Sequence, residues 1–244
     1  MKKFRTTTEE AVGQNIANIF NKSQDQLEIK LENFPKYVRR QQLKRFLSMY
    51  EIFKLILPVK GSVVECGVYR GFSLMAWAKL STILEPENLT RRIYGFDTFE
   101  GFPSVGDKDT NPLAVHKEGD LDGGSYEELQ LLINEYDRDR FLGHINKVQL
   151  VKGDVLQTIP QFISENRHLL VSLLFIDLDL YEPTKVAIEN FVPRMPKGAV
   201  IAFDDLDNPM WPGETLALLE TAGIRNLQLR RWEHDPYIGF AVLE

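Results

Sequence analysis

The sequence predicts an α/β fold built on a mostly parallel β-sheet, with an antiparallel hairpin at its C-terminal end. Several short runs are almost wholly apolar, as in strands that a parallel sheet buries on both faces. These runs alternate with segments of helical periodicity, which is typical of strands joined by crossover helices. The last two strand candidates, near Leu227–Leu229 and at Ile238–Val242, have only a short connection that includes residues 234–237. That connection is too short for a parallel crossover, so we expect an antiparallel pair there.

Seven strands are predicted from residue 62 onward, five from strong apolar runs and two from weaker ones. The strong candidates are Ser62–Cys66, Arg92–Phe96, Val148–Lys152, Leu173–Asp177 and Ala199–Phe203, and the weaker ones are Leu227–Leu229 and Ile238–Val242. The helices predicted between them are Ser73–Leu84, Ser125–Phe141, Thr158–Asn166, Thr184–Phe191 and Glu214–Ala222. This order is similar to the Rossmann-like, seven-stranded architecture of class I methyltransferases.

The residues before this sheet form a helical extension. Apolar residues recur at helical spacing from Glu9 to about Leu57, with little strand character. We therefore predict two parts, an N-terminal helical extension over residues 1–59 and a single globular domain over residues 60–244. Ordinary packing is the expected role of the extension, with a cap over the active site or an oligomer contact as alternatives. A homo-oligomer is the expected assembly.

The composition is that of an ordinary globular protein and argues against several classes of partner. Of the 244 residues, 43% are hydrophobic and 26% are charged, and the formal net charge is −6. Nucleic-acid binding needs surplus Lys and Arg, so no nucleic acid is expected as a partner. Neither a membrane span nor an apolar region behind Met1–Thr6 is visible, so we expect no secretory signal, no membrane contact and a cytoplasmic location. Cys66, the single cysteine, is expected to be buried and inert.

Three carboxylates end two of the apolar runs. Asp177 closes the run that begins at Leu173, and Asp204 and Asp205 close the run that begins at Ala199. This spacing leaves room for one crossover helix, so the acids are expected at neighbouring strand ends, where open α/β sheets bind ligands. Carboxylates this close repel each other unless a cation lies among them, and an all-oxygen site suits Mg²⁺ or Ca²⁺. The alternative is that they cap helices.

The turn after the first strand predicts a ligand-binding loop. Gly67 and Gly71 lie in it, where a missing side chain lets a ligand approach the backbone, and Ser73 is placed to cap the next helix. Their spacing is not the GxGxxG fingerprint of dinucleotide-binding proteins. Glu65 is an acid in a buried strand, and a buried carboxylate needs a partner such as the ammonium of an amino-acid moiety.

Two more acids follow the next strands. Asp97 is placed to accept hydrogen bonds from ribose hydroxyls. Asp154 is placed to meet the exocyclic amine of a base, although a helix N-cap explains it equally well. Tyr69 and Arg70, in the turn after the first strand, are expected to contact the cofactor or to lie on the surface. Together these positions predict contacts for an amino-acid tail, a ribose and an adenine.

Six motifs resemble the macrocin O-methyltransferase (TylF/MycF) family, in the order in which that family carries them: VECGVYRGFS, YGFDTFEGFP, KGDVLQTIP, FIDLDLYEPTK, GAVIAFDDL and a later WPGE. The resemblance covers about residues 60–240. It implies an enzyme that depends on S-adenosylmethionine and Mg²⁺ and methylates hydroxyls, chiefly on the sugars of antibiotics and related natural products.

The same resemblance assigns roles to single residues. It places Glu65, Gly67, Ser73, Asp97 and Asp154 on cofactor-binding motifs and Asp177, Asp204 and Asp205 on metal-ligand positions. Asp179 falls where family members carry a proposed general base. Asp177 is expected to contact the cofactor, to bind the metal and to take part in catalysis. If the strand continued through both, Asp177 and Asp179 would point to the same face.

Residues 104–125 carry no motif of that family, so the identity of the acceptor cannot be inferred from them. This long glycine- and acid-rich segment predicts a mobile flap over the acceptor, with a plain surface loop as the alternative. His116 and His234 are candidate acceptor contacts that ordinary exposure explains as well. Trp211 is expected to shape the acceptor pocket or simply to pack.

The implied chemistry is physically coherent. The sulfonium methyl is already activated, so the acceptor needs positioning and a better nucleophile. A bound divalent ion lowers the pKa of a hydroxyl oxygen, and either Asp177 or Asp179 would take the proton. Two alternatives remain: a catechol-type, metal-dependent O-methyltransferase that acts on an aromatic diol, and a cofactor-binding protein without catalytic activity.

Overall fold

The computed structural model describes residues 6–113 and 115–244. The prediction that no secretory signal precedes the domain concerns Met1–Thr6 and lies almost wholly outside these ranges. Contacts divide the chain into two compact units, one that ends at Leu47 and one that comprises Ser48–Glu244. This division falls inside a helix, whereas the predicted boundary after residue 59 follows the end of that helix. The predicted domain limits stay a prediction.

The first unit is helical, as predicted. It contains α1 (Thr7–Lys22), α2 (Leu27–Glu32) and the start of α3 (Arg40–Ile56), with a 3₁₀ turn before α3. Thr6 begins α1 with a capping box: its hydroxyl accepts a hydrogen bond from the Glu9 amide at 3.2 Å, and the Glu9 carboxylate accepts one from the Thr6 amide at 2.9 Å.

The second unit is a six-stranded sheet with helices packed against it. Its strands are β1 (Ser62–Cys66), β2 (Ile93–Asp97), β3 (Val148–Lys152), β4 (Val171–Ile176), β5 (Val200–Phe203) and β6 (Gly239–Val242). Its helices after α3 are α4 (Phe72–Leu84), α5 (Tyr126–Asp139), α6 (Val155–Glu165), α7 (Tyr181–Phe191) and α8 (Pro212–Glu220). The strand order is β3-β2-β1-β4-β5-β6. The first five strands are parallel, and β6 is antiparallel to β5.

The predicted fold class is confirmed, but the predicted count of seven strands is wrong for the part of the chain that the structure describes. The candidate at Leu227–Leu229 is not a strand. Its neighbour Arg230 forms only an isolated antiparallel bridge with Phe240. Arginines flank this segment and Leu229 is 40% exposed, so too little apolar surface lies there to hold another edge strand. The antiparallel pair of strands is therefore β5 with β6, and the other C-terminal segment meets β6 only at the Arg230–Phe240 bridge.

The sheet places its switch point beside its most buried strands. All residues of β1 and of β4 are buried, and Cys66 at the end of β1 is a free, buried thiol as predicted. The chain builds the sheet outward in opposite directions from these two neighbours, through β2 and β3 on one side and β5 and β6 on the other. Such a point leaves a crevice at the carboxyl ends of the strands, where ligands bind. Within the described ranges, no helix combines the length and apolarity needed to cross a bilayer.

A buried arginine ties the opposite end of the sheet together. Arg91 precedes β2 and is 2% exposed. Its guanidinium donates to a carboxylate, a hydroxyl and three backbone carbonyls: Glu85 Oε1 at 2.8 Å, Ser172 Oγ, Gly61 O at 2.9 Å, Ile56 O at 3.0 Å and Val59 O at 3.1 Å. The planar fork of the guanidinium serves these groups together, which an ammonium cannot do.

We expect Arg91→Lys to lower the free energy of unfolding by about 3 kcal/mol, because it leaves Glu85 and several buried carbonyls unpaired. Urea denaturation monitored by circular dichroism measures the loss. Arg92→Lys, at the next and less buried position, is the matched control and should change the free energy by less than about 0.5 kcal/mol. Equal effects of the two substitutions would contradict this role for Arg91.

Candidate active site

The turns after β1 and β4 touch each other at the crevice. The Asp177 amide donates to the Cys66 carbonyl at 2.8 Å. Gly67 has φ +90°, and a Cβ there would lie 1.7 Å from the Asp177 carbonyl oxygen. The protein's own backbone therefore requires glycine at this position, whereas the sequence suggested a ligand as the reason. This contact fixes how close the two turns stand.

Glu65 is fully buried on β1, and one of its two carboxylate oxygens accepts a hydrogen bond. The Ser73 hydroxyl donates to Glu65 Oε1 at 2.7 Å, while Oε2 is buried and has no hydrogen-bond partner among the described atoms. Burial raises the pKa of Glu65 to about 8, and the Ser73 hydroxyl and the Trp77 indole oppose the rise. Ser73 is not the helix cap that we predicted. Gly71 is the N-cap of α4, which leaves the Ser73 hydroxyl free to bind Glu65.

Asp97 organises the turn after β1. Its Oδ2 accepts hydrogen bonds from the amides of Val68 and Tyr69, both at 2.8 Å, and its Oδ1 accepts one from Phe99 at 2.6 Å. Tyr69 adopts a positive φ of 51° and is 45% exposed. The Arg70 guanidinium lies 5.4 Å from the Tyr69 ring centre. A carboxylate oxygen can accept more than one hydrogen bond, so contact of Asp97 with a ribose stays a prediction.

Asp154 is the N-cap of α6. Its Oδ1 accepts a hydrogen bond from the Leu156 amide at 2.9 Å, which is the alternative that the sequence left open. This cap starts the helix at Val155, three residues before the predicted start at Thr158. Contact between Asp154 and an adenine amine stays a prediction.

Three of the predicted acids form one group. Carboxylate oxygens of Asp177, Asp179 and Asp205 all lie within 4.8 Å of one another. Strand β4 ends at Ile176, so strand alternation does not bring Asp177 and Asp179 together. A tight turn does so: the Leu180 amide donates to the Leu178 carbonyl at 2.6 Å, and Asp179 between them has φ +62°.

Asp204 is not a member of that group. Its amide donates to the Ile176 carbonyl at 3.0 Å, which joins the end of β5 to the end of β4. Its carboxylate is still close enough to raise the pKa of Asp179. The sequence prediction of Asp177, Asp204 and Asp205 as metal ligands thus shares two residues with the group in the structure, and Asp179 stands there in place of Asp204.

The charges of these acids act on one another. Burial raises the pKa of Asp179 well above its usual value, and the neighbouring carboxylates of Glu214, Asp205 and Asp204 add to the rise. Ligand oxygens about 2.1 Å from a Mg²⁺ ion lie up to about 4.2 Å apart across it. A cation among Asp177, Asp179 and Asp205 would therefore need only a small inward movement of the side chains, and it would relieve their repulsion.

The sequence analysis assigned no role to Glu214, although it noted the WPGE motif. This residue is fully buried in the first turn of α8. Its Oε1 accepts hydrogen bonds from the amides of Leu178 at 3.0 Å and Asp179 at 3.2 Å, and its Oε2 accepts one from the Asp205 amide at 3.1 Å. Burial and then the carboxylates of Asp205, Asp177 and Asp204 raise its pKa. The available signal was an acid in the first turn of the helix that follows Asp204 and Asp205.

The segment 104–125 is anchored beside this group. Asp109 is buried, and its carboxylate accepts hydrogen bonds from the Gly106 amide at 2.9 Å and from the Tyr181 amide, the first of α7, at 2.6 Å. The Lys108 ammonium pairs with Glu220 on α8 at 2.6 Å. The predicted role of the segment as a flap stays a prediction, but these contacts hold it against the two helices that follow the acids.

Two aromatic residues that the sequence analysis treated singly lie together. The rings of His116 and Trp211 stack with centres 3.8 Å apart and 14° between planes, and Phe102 meets both edge-on. His116 Nε2 also lies 2.9 Å from the Met210 carbonyl oxygen. His234 is placed elsewhere in the packing, with its Nε2 3.2 Å from the Ser48 hydroxyl.

Comparison with known proteins identifies the family. A family model described as a methyltransferase domain matches residues 64–206. The crystal structure of CalS11, a calicheamicin methyltransferase, is 35% identical, with a TM-score of 0.92 over 98% of this chain and 93% of that one. The apo structure of CalS11, named there as a TDP-rhamnose 3′-O-methyltransferase, gives 34% identity and a TM-score of 0.85 over 98% of this chain and 95% of that one.

A curated protein of Streptomyces olivaceus is also similar. It is an 8-demethyl-8-(2,3-dimethoxy-alpha-L-rhamnosyl)-tetracenomycin-C 4′-O-methyltransferase, 30% identical over 169 residues, which make up 67% of this chain. The chain spans 60% of the length of that relative. The matched family model runs from β1 to the acids after β5 and covers more than half of the sequence. The chain therefore belongs to the methyltransferase-domain family.

Proposed function

We propose that this protein is an O-methyltransferase that depends on S-adenosylmethionine and Mg²⁺, of the macrocin (TylF/MycF) type, and acts on a hydroxyl of a sugar. The observation that carries the proposal is the group of Asp177, Asp179 and Asp205 at the strand ends of a methyltransferase fold. The buried Glu65 on a strand that leads into the same crevice supports the choice of cofactor. The cytoplasmic location and the homo-oligomer stay predictions.

The cofactor part rests on the chemistry of Glu65. Its buried Oε2 without a partner fits the ammonium of the methionine moiety, because a buried carboxylate is stabilised by an opposite charge. Asp97 would accept from the ribose, Asp154 would meet the adenine amine, and the backbone near Gly67 would border the cofactor. Bound S-adenosylmethionine supplies an activated methyl group.

The metal part rests on the acid group. Asp177 and Asp205 would hold the ion, and its charge would offset the repulsion that raises the pKa of Asp179. When bound, Mg²⁺ lowers the pKa of an acceptor hydroxyl. The Asp179 carboxylate, ionised once the cation offsets that repulsion, would accept the hydroxyl proton. Its tight turn keeps it within the same 4.8 Å group as the two ligands.

The acceptor part rests on the relatives. Both CalS11, in its apo structure, and the Streptomyces olivaceus protein carry rhamnose or a rhamnosyl group in their names. We therefore propose a rhamnose-type 6-deoxyhexose, presented as a nucleotide sugar or on a natural product. We propose that the stacked rings of His116 and Trp211 form one wall of the acceptor pocket. His116 belongs to the segment 104–125, which is anchored next to the acid group.

The acceptor proposal predicts methylation of sugar hydroxyls. With S-adenosylmethionine and Mg²⁺, we expect TDP-rhamnose or a rhamnosylated natural product to give a product 14 Da heavier by mass spectrometry, at a higher kcat/KM than catechol. Preference for catechol would favour the aromatic-diol alternative. Cofactor binding without turnover on any acceptor would favour the non-catalytic one.

The metal proposal predicts different effects for two adjacent acids. We expect Asp205→Asn to raise the Mg²⁺ concentration for half-maximal turnover by more than about 100-fold, because it removes a ligand. Asp204→Asn should raise it only by about 10-fold, as is typical of an outer carboxylate. Turnover measured against Mg²⁺ after treatment with EDTA decides the ranking, and equal effects would restore Asp204 to the ligand set.

In the same titration, Asp179→Asn tests the general base. It should leave the Mg²⁺ dependence nearly unchanged and lower the saturating rate by about 10²–10⁴-fold. A large shift in Mg²⁺ dependence would instead make Asp179 a ligand.

The cofactor proposal predicts proton release. In the free protein the pKa of Glu65 is about 8, so at pH 6–7 the carboxyl is mostly protonated. Pairing with an ammonium requires the carboxylate, so binding should release about one proton and strengthen as pH rises from 6 towards 8. Calorimetry with S-adenosylhomocysteine in two buffers of different ionisation enthalpy measures the release.

One test variant and one control variant check this prediction. Glu65→Gln should bind more weakly and release no proton, whereas the exposed Glu87→Gln should behave as the parent protein. Proton release by Glu65→Gln equal to that of the parent would show that another group titrates.

A further inference from the structure

The start of α8 is pressed against the turn after β4. A Cβ on Gly213 would lie 2.5 Å from the Tyr181 amide nitrogen and 2.6 Å from the Asp179 carbonyl oxygen. The missing side chain lets the helix backbone come this close. The next residue, Glu214, is thereby carried into the space between the turns that follow β4 and β5.

Each carboxylate oxygen of Glu214 serves a different turn. Oε1 accepts from Leu178 and Asp179 in the turn after β4, and Oε2 accepts from Asp205 in the turn after β5. One side chain thus bridges two segments that are separated by a whole crossover helix in the chain. Two of the three amides belong to residues of the acid group itself.

Without the hydrogen bonds to Glu214, the turns after β4 and β5 would tend to change conformation. Asp179 has a positive φ of 62°, a conformation that L residues adopt at a cost. The ionised carboxylates that the two turns carry repel each other. This repulsion favours separation of the turns, and the amide hydrogen bonds to Glu214 oppose it.

We infer that Glu214 is a positioning residue, which ties the turns after β4 and β5 together so that Asp177, Asp179 and Asp205 converge before any ion arrives. This inference rests on the proposed metal-dependent function. Glu214 acts through the backbone of the neighbouring turns, and its own oxygens are used by the three amides.

The requirement for glutamate is specific. Glutamine has nearly the same shape but only one acceptor oxygen, so its amide group would face the N–H groups of one turn without bonding them. Aspartate keeps the charge and both oxygens, but it is one methylene shorter and cannot reach both turns. Comparison of the two variants therefore separates loss of charge from loss of reach.

The first measurement uses hydrogen exchange in the metal-free, full-length protein, followed by NMR at the amides of Leu178, Asp179 and Asp205. In Glu214→Gln the amides of one turn should exchange about tenfold faster or more, and in Glu214→Asp those of the turn that the shorter side chain no longer reaches, as expected when a hydrogen bond to a charged acceptor is lost. The control is Glu182→Gln, an exposed acid in the first turn of α7, which should leave their exchange unchanged.

The second measurement titrates Mn²⁺ as a probe of the ion site, by electron paramagnetic resonance. We expect both Glu214 variants to bind Mn²⁺ about 10- to 100-fold more weakly, the loss typical of residues that orient metal ligands. Glu182→Gln should bind it as the parent protein does. Should Glu214→Gln fail to fold, Glu214→Asp provides the test.

The outcomes separate the possible roles. Faster exchange together with weaker Mn²⁺ binding supports the inference. Weaker binding with unchanged exchange would overturn it in favour of a charge effect, and faster exchange with unchanged binding would reduce Glu214 to a structural contact. If the parent protein binds no Mn²⁺, the proposed metal function fails, while hydrogen exchange still decides whether Glu214 holds the two turns together.

Discussion

The close approach of the turns after β1 and β4 is the constraint on which the rest of the crevice depends. Gly67 leaves no room for a side chain beside the Asp177 carbonyl, and the Asp177 amide is bonded back to β1. Because β1 and β4 flank the switch point of the sheet, this contact determines where the turn after β1 and the Asp177 side chain lie. The neighbouring acids are then positioned relative to Asp177.

Several of the acids accept hydrogen bonds from the protein's own backbone and are at the same time candidates for ligand binding. Asp97 accepts from three amides of the turns after β1 and β2, and Asp154 caps α6. Asp109 accepts from the first amide of α7, where the helix dipole favours a negative charge. A carboxylate at a strand end can therefore shape the crevice and still keep lone pairs for a ligand.

Electrostatic repulsion and backbone hydrogen bonding oppose each other at the acid group. Burial and the neighbouring carboxylates raise the pKa of Asp179 and of Glu214, which is the direction expected for buried acids that lie close together. The hydrogen bonds from the turns to Glu214 work against the separation of those turns. The binding of a divalent ion would convert this repulsion into attraction without rebuilding the backbone.

The sequence by itself determined the fold class, the helical extension, the six strands of the sheet within a residue or two, and most acids of the crevice. Apolar runs and helical periodicity are local signals, and Asp97, Asp177 and Asp204 each directly follow such a run. The sixth strand was the weaker candidate at Ile238–Val242, whereas Leu227–Leu229 formed no strand because an edge strand needs a partner and apolar contacts that its local sequence does not reveal.

Only the tertiary structure decided which acids meet. Asp179 joins Asp177 and Asp205 because a tight turn follows β4, whereas strand periodicity would have required the strand to continue. Gly71, and not Ser73, is the N-cap of α4. Glu214, ten residues after Asp204, contacts the two turns from the first turn of α8. The meeting of Asp177 and Asp179 with Asp205 and Glu214 depends on distances between segments remote in the chain, and such distances are set by packing, which no local pattern encodes.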